Sequence, residues 1–366
     1  MFAGSNNPMV KYTLRRLIQA IPTFFGITIL SYLLMTAAPG GPVGALAFGP
    51  KVTPQQRERV AAQLGVNDPW PLQYARWLIG DDWMRFDKDG DGVANEPGDR
   101  LGILRGDFGR SFLQRRPVWD LIVERIPATL ELGLASLIIG LVLGIPVGVL
   151  AAVRKGGWFD TSTRILAVVF NAVPVFWLGL ILILLFGSIL PNWLNQLNPT
   201  VFPSTSPILP MGGRCPTDLL SGCPPLHERL NYMILPTFVL ATGFIAVYSR
   251  FMRASMLDVF SQDYMRTARS KGLSTGQVWF KHGARNALIP IATFLGPTIT
   301  GLLSGAAITE TIFSWPGLGR MAVGSVVGLD YPVVMAVVIL SAVATIFGFI
   351  LSDILYALID PRIRFG

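Results

Sequence analysis

The stretch "ATLELGLASLIIGLVLGIPVGVLAAV", Ala128–Val153, decides the fold. Its one charge, Glu131, lies near the start. The rest is apolar or small over the length a helix needs to cross a hydrocarbon core of about 30 Å. Five further runs of this kind flank it, roughly Leu17–Ala38, Thr163–Leu190, Met233–Met252, Ile291–Thr309 and Pro332–Leu358. The first is too long to be a cleaved signal. Of the 366 residues 51% are hydrophobic and only 14% charged, with a mean hydropathy of +0.51. A soluble domain carries about a quarter charged residues. The sequence therefore predicts an all-α polytopic membrane protein with six transmembrane helices.

The runs divide the chain into residues 1–38 (the N-terminus and first transmembrane helix), 39–127, and a five-helix core over 128–366. With the N-terminus inside, the inside segments carry many Lys and Arg but only four acids, Asp160, Asp258, Asp263 and Asp360. The outside segments are balanced, and the short loops carry the argument, because long translocated segments escape the positive-inside rule. Both termini are then cytoplasmic, and residues 39–127 form an extracytoplasmic insert domain between helices one and two. Within it "TPQQRERVAAQLG", Thr53–Gly65, has the cap and stop signals of a short helix. The net charge of +8 is a topology signal. No basic patch interleaved with aromatics points to nucleic acid.

Cys215 and Cys223 fall in one outside loop, "PMGGRCPTDLLSGCPP". A disulfide suits an oxidising compartment, and a pair of unlinked thiols is the alternative. Asn171 and Pro174 sit three apart in the third run, where proline kinks a helix, and mark candidate pathway positions. So does Thr298 in "IATFLGPTITGLLSGAA", where Gly301 and Gly305 form a small-residue face for another helix. Glu131 and Asp353 are the acids within the spans, each near a span end.

No GxxxxGK[ST] occurs, so the chain has no phosphate-cradling loop of its own. His227 and His282 fall on opposite sides and cannot share a metal or a triad. Nothing looks catalytic. A transporter driven by an ion gradient is the alternative class, but it needs charged residues at mid-span, and none is there. One loop has a metal-like spacing: "DKDGDGVANEPGD" places Asp87, Asp89 and Asp91 at positions one, three and five of an EF-hand-type calcium loop. Gly92 stands at six, Val93 offers a carbonyl at seven and Asn95 stands at nine. Gly98 occupies position twelve, where a bidentate Glu is needed, and Asp99 is the nearest substitute. A structural Ca2+ and a solvated acidic turn both fit this pattern.

The polar stretch "SQDYMRTARSKGLSTGQVWFKHGARNALIP", Ser261–Pro290, lies inside, within a cytoplasmic loop 253–290. Residues 262–271 favour helix, Gly272 provides a left-handed cap, and a second short helix runs from Thr275 to about Asn286. Tyr264, Ala268 and Gly272 fall four apart on one shallow face, with Arg266, Arg269 and Lys271 around it. Such a face suits docking into a groove of a soluble partner.

"Ala268-x-x-x-Gly272" followed by "Arg285-Asn286-Ala287-Leu288-Ile289-Pro290" resembles the EAA coupling motif of ABC importer permeases. The chain more closely resembles the B-type permease subunit of the dipeptide/oligopeptide/nickel transporter family. "RRLIQAIPTFFGITILSYLL", "GDFGRSF", "RPVWDLIVERIPATLELGLASL", "ETIFSWPGLGR" and "LSDILYALIDPRIR" carry the resemblance in order over most of the chain. Arg266-Thr267-Ala268 stands where the general motif has Glu-Ala-Ala, which fits the peptide branch. "APGGPV" and the segment Asp81–Leu104 depart from many relatives. The resemblance implies half a pore in a bacterial or archaeal cytoplasmic membrane, moving short peptides. It implies four partners besides lipid: a second homologous permease, two cytoplasmic ATPase subunits and an extracytoplasmic solute-binding protein. It implies no required cofactor and no catalysis in this chain. Coupling to the ATPases falls to Asp263, Tyr264, Arg266, Thr267, Ala268, Lys271, Gly272 and Leu273.

Overall fold

A computed structural model of the protein describes residues 8–37, 68–87, 93, 95–201, 205–216, 222–303 and 306–359, with side chains except at 8–14, 353 and 355–359. The helix expected at Thr53–Gly65, the loop residues Asp89, Asp91 and Gly92, Gly305, and the side chain of Asp353 lie outside the described residues.

Among the described residues six helices are long and apolar enough to cross a membrane: Arg15–Ala37, Val118–Val153, Val175–Leu197, Leu230–Phe260, Ile289–Ile312 and Tyr331–Ser352. The chain forms two compact units. One comprises Met1–Thr13, Pro127–Arg320 and Ala344–Gly366; the other comprises Leu14–Ile126 and Met321–Val343.

The second unit contains most of α1 (Pro8–Ala37) and a short helix α2 (Trp70–Ile79). Pro69 and Pro71 favour the start of α2, where a missing N–H costs nothing, and it packs on α1 through polar and aromatic contacts. Thr28 Oγ1 lies 2.8 Å from the Tyr74 hydroxyl, and Tyr32 stacks edge-on to Tyr74 with ring centres 5.7 Å apart. Arg76, at 4% exposure, bridges Asp68 (2.6 Å) and Asp81 (3.3 Å). A hairpin follows, β1 (Arg85–Phe86) against β2 (Glu96–Pro97), in antiparallel register Arg85↔Pro97. Farther along, buried Asp330 accepts hydrogen bonds from the Ser111 hydroxyl and the amide of Phe112 (2.9 Å). These pin the turn before α3 (Val118–Val153).

The first unit contains the rest of α3, then α4 (Trp158–Ala172), α5 (Val175–Leu184), a π-helical segment Leu185–Ile189 and α6 (Leu190–Leu197). The third apolar run is thus broken rather than kinked. Val173 and Pro174 are both extended (ψ 123° and 133°), because proline disfavours the helical region in the residue before it. Next come α7 (Leu230–Phe260), α8 (Asp263–Ser270), a π-helical segment Gln277–Ala284 and α9 (Arg285–Ala287). The order closes with α10 (Ile289–Leu303), α11 (Ala307–Ile312), α12 (Leu318–Val327) and α13 (Tyr331–Ile359).

The core of this unit joins α3, α7 and α10: Leu137, Val149, Tyr248, Met252, Met256, Ala287 and Ile291 form one buried cluster. Gly140, Gly144 and Gly148, four apart on α3, lie against α7, and a Cβ at Gly148 would come within 2.5 Å of the Ser249 carbonyl. Close helix approach therefore depends on this stripe. Among the described residues of this chain Gly301 serves no such contact, since an added Cβ there would meet nothing within 4 Å.

Candidate functional site

The stretch between α7 and α10 folds as a compact lobe with one face turned inward. Met265 (0% exposed) and Ala268 pack with Val278 against Val259, Phe260 and Trp279. Ala268, expected on the docking face, belongs instead to this internal contact. A small side chain there lets α8 lie close to the returning segment. The outward face of the lobe consists of Asp263, Tyr264, Arg266, Thr267, Lys271, Gly272 and Leu273, all exposed. α8 ends as its sequence predicts: Gly272 has φ +72°, and its amide donates to the Arg269 carbonyl at 3.0 Å. Partial burial pushes the Tyr264 hydroxyl pKa up, against the pull of a hydrogen bond from Asn286. The second short helix exists, but in π-helical winding over Gln277–Ala284. Ala284 and Ala287 carry the lobe into the α3–α7–α10 core, so α8, its return segment and the spans are one packed chain of contacts.

An ion pair flanks the lobe. Arg253, near the end of α7, grips Asp160 at the start of α4 through Nε and Nη2, the latter at 2.8 Å, and the Gly156 amide also donates to Asp160 at 2.9 Å. The Arg253 hydrogen bond, opposed by desolvation and helped by the Gly156 amide, holds the Asp160 carboxyl pKa down at about 2. Asp160 reads in the sequence as a stray acid of a basic loop, and only the fold reveals its partner, 93 positions away.

A cavity of about 310 Å³ within the first unit is lined by Thr129, Gly133, Phe244, Thr298, Gly301 and Glu310, among others. It gathers two of the expected pathway residues, Thr298 and Gly301. Asn171 and Pro174 are exposed and do not line it. The Thr298 hydroxyl lies 3.0 Å from that of buried Tyr248. Glu310, fully buried, accepts from Thr129 Oγ1 (2.9 Å) and from the Arg320 amide (2.8 Å), while the Leu318 amide donates to Thr129 Oγ1 (2.8 Å). Glu310 and Thr129 together cap the N-terminus of α12, where free amides and the helix dipole favour an anion. The acid lies one residue past the fifth apolar run, which is why hydropathy alone passes over it.

Cys215 and Cys223 form the expected disulfide, with Cα atoms 5.5 Å apart. Beside it, Glu131 accepts from Arg214 Nε (2.9 Å) and from both terminal nitrogens of Arg229 (3.0 and 2.8 Å). This acid near the end of its span thus anchors a distant loop.

Among the described residues no group of three or more His, Cys, Asp or Glu could hold a metal. Gly98, at the twelfth position of the calcium-like loop, has no room for a side chain, since a Cβ would lie 2.2 Å from Asp81 Oδ1.

Residues 144–365 match the family described as "Binding-protein-dependent transport system inner membrane component", and residues 9–133 match its N-terminal counterpart. The chain belongs to this family. Among similar proteins, the oligopeptide transport system permease protein AppB of Bacillus subtilis is 39% identical over 98% of this chain and 100% of its own length. The dipeptide transport system permease protein DppB of Escherichia coli is 38% identical over 97% and 99%. The glutathione transport system permease protein GsiC of Escherichia coli is 35% identical over 98% and 100%. A binding-protein-dependent inner membrane component is a multi-pass membrane subunit, in agreement with the six apolar helices.

Proposed function

We propose that this chain is one permease half of an ATP-driven importer of short peptides. A second homologous permease completes the pore, two ATPase subunits hydrolyse ATP on the cytoplasmic side, and a solute-binding protein delivers substrate outside. The likeness to permeases named for dipeptides, oligopeptides and glutathione over nearly the whole chain supports the substrate class. The coupling mechanism rests on the lobe: α8 has one face buried against its own chain and the other exposed. A partner pressing on the exposed face would move α8, its return segment and the α3–α7–α10 core together. Both termini are cytoplasmic in this reading, which the basic short loops support.

Replacing Arg266 and Lys271 with Ala tests the coupling surface. Both are exposed, so stability should shift by less than about 0.5 kcal/mol. ATPase subunits should co-purify in reduced yield and dipeptide uptake should fall, with membrane insertion unchanged. Wild-type co-purification and uptake in this variant would place the docking surface elsewhere. Competition between a dipeptide and nickel for uptake settles the substrate class.

The calcium reading of Asp87, Asp89, Asp91, Val93, Asn95 and Asp99 is a separate and structural part of the proposal. Their spacing supports it. Calcium should slow proteolysis at this loop and Asp87→Ala with Asp91→Ala should abolish the protection; equal cleavage with calcium and chelator rejects it.

A further inference from the structure

The second unit contains a cavity of about 1020 Å³ that neither transport nor coupling accounts for. One wall comes from Tyr32 and Met35, in the last turns of α1, and from Tyr331 and Met335, in the first turns of α13. Two membrane-crossing helices thus meet the cavity where each reaches the membrane–water boundary. Another wall carries Arg76, Arg100, Arg110 and Arg115; among the described lining residues the acid is Asp107, and Arg76 is itself paired with Asp68 and Asp81. Asp107 is already engaged, accepting from the amides of Gly109 (2.9 Å) and Leu101 (3.1 Å).

Among the described residues two polar groups of these wall-forming side chains are buried without a hydrogen-bond partner: Arg76 Nε, on a side chain 4% exposed, and the hydroxyl of Tyr331, 7% exposed. An unsatisfied buried donor costs about 1–3 kcal/mol, so such pairs call for an acceptor. Both can donate, and Arg100, Arg110 and Arg115 bring positive charge. The ligand chemistry they fit is an oxyanion. The apolar area of the cavity and its position at two helix ends add a demand for a hydrocarbon tail.

We infer that this cavity binds an anionic phospholipid, with the headgroup phosphate toward Arg100 and the Arg76–Tyr331 donors and the acyl chains along Met35 and Met335. Arginine suits phosphate because its planar fork donates two parallel hydrogen bonds. Hydrogen bonds from arginine to a charged phosphate are about twice as strong as neutral ones.

The intact protein, extracted with its partner subunits, is loaded with equal amounts of phosphatidylglycerol and phosphatidylcholine. Native mass spectrometry then reads the first lipid retained. Wild type should prefer phosphatidylglycerol by about tenfold, the worth of one hydrogen bond to a charged group, and Arg100→Gln with Tyr331→Phe should bring the ratio near one. Arg115→Gln, at an exposed position, should lower it partway. Free glycerol phosphate in the same assay separates the two sources of the anion. Displacement of the lipid at millimolar concentration assigns the site to the headgroup alone, and no displacement assigns it to the whole lipid. Equal retention of both lipids by wild type, or an unchanged preference in both variants, overturns the inference. So does displacement of the lipid by an acidic peptide.

Discussion

The disulfide loop and the coupling lobe are both polar excursions between membrane-crossing helices, and they are held in opposite ways. Residues 205–229 are fastened by a covalent bridge and by a carboxylate shared between two arginines. Residues 261–290 have no such fastening. A few apolar side chains and a glycine cap hold the lobe, and its charged residues point to solvent. The difference follows what each part is asked to do. A loop that must keep its shape is braced internally, whereas a lobe that must receive a partner keeps its charged side chains exposed to that partner.

Four substitutions test this contrast, in order of expected effect on stability. Glu131→Ala leaves Arg214 and Arg229 facing each other with their shared anion gone. A fully buried charge left unpaired costs about 3–5 kcal/mol, and because the Glu131 side chain keeps 20% exposure about 2–3 kcal/mol is expected, read as a lower melting temperature in detergent. Cys215→Ser with Cys223→Ser opens a loop of roughly nine residues, worth about 2–3 kcal/mol in the chain-entropy model. Reductant should reproduce this loss in the wild type and do nothing to the double variant.

The third test uses pH. The Asp160 carboxyl has a pKa of about 2 in the fold, below the ordinary 3.8. A depressed acid stabilises fully above its unfolded pKa and loses that contribution as pH falls through the folded one. About 2 kcal/mol should therefore disappear between pH 4 and 2. Asp160→Asn should flatten the melting profile over that window, and an unchanged slope would remove Arg253 as the cause.

Gly272→Val has the smallest effect on stability. The left-handed backbone costs a branched residue about 1–2 kcal/mol, and there is open space around the position, so only the cap is disturbed. Transport should nevertheless fall more than tenfold, making this the most damaging of the four for function. If uptake instead tracks stability across the set, the contrast between braced loop and docking lobe is wrong.

The sequence made the spans legible because apolar length is a local property. The disulfide was legible because two cysteines in one loop leave few options, and the cap at Gly272 because a left-handed stop needs glycine. What escaped was relational. Glu131 with Arg214 and Arg229, and Asp160 with Arg253, are separated by 83, 98 and 93 positions, and no periodicity links them. Ala268 was placed on the wrong face because its spacing from Tyr264 and Gly272 says which residues align, not which side is covered. Glu310 was passed over because a buried acid serving as a helix cap leaves no trace in hydropathy. The break at Val173–Pro174 was half legible: proline announces a disturbance, but whether the helix bends or parts depends on what each half packs against.

The π-helical winding of Gln277–Ala284 has a consequence for sequence length. A helix registers its faces by counting residues, about 100° for each one at 3.6 per turn, and a wider coil counts them at a different rate. Restoring ordinary winding over Gln277–Ala284 without removing a residue would turn everything upstream out of phase with α10. The face that α8 offers to a partner would then point elsewhere without any of its residues having changed. This segment therefore works as a phase setting between the lobe and the membrane, and it should tolerate a one-residue deletion that restores ordinary winding better than a one-residue insertion.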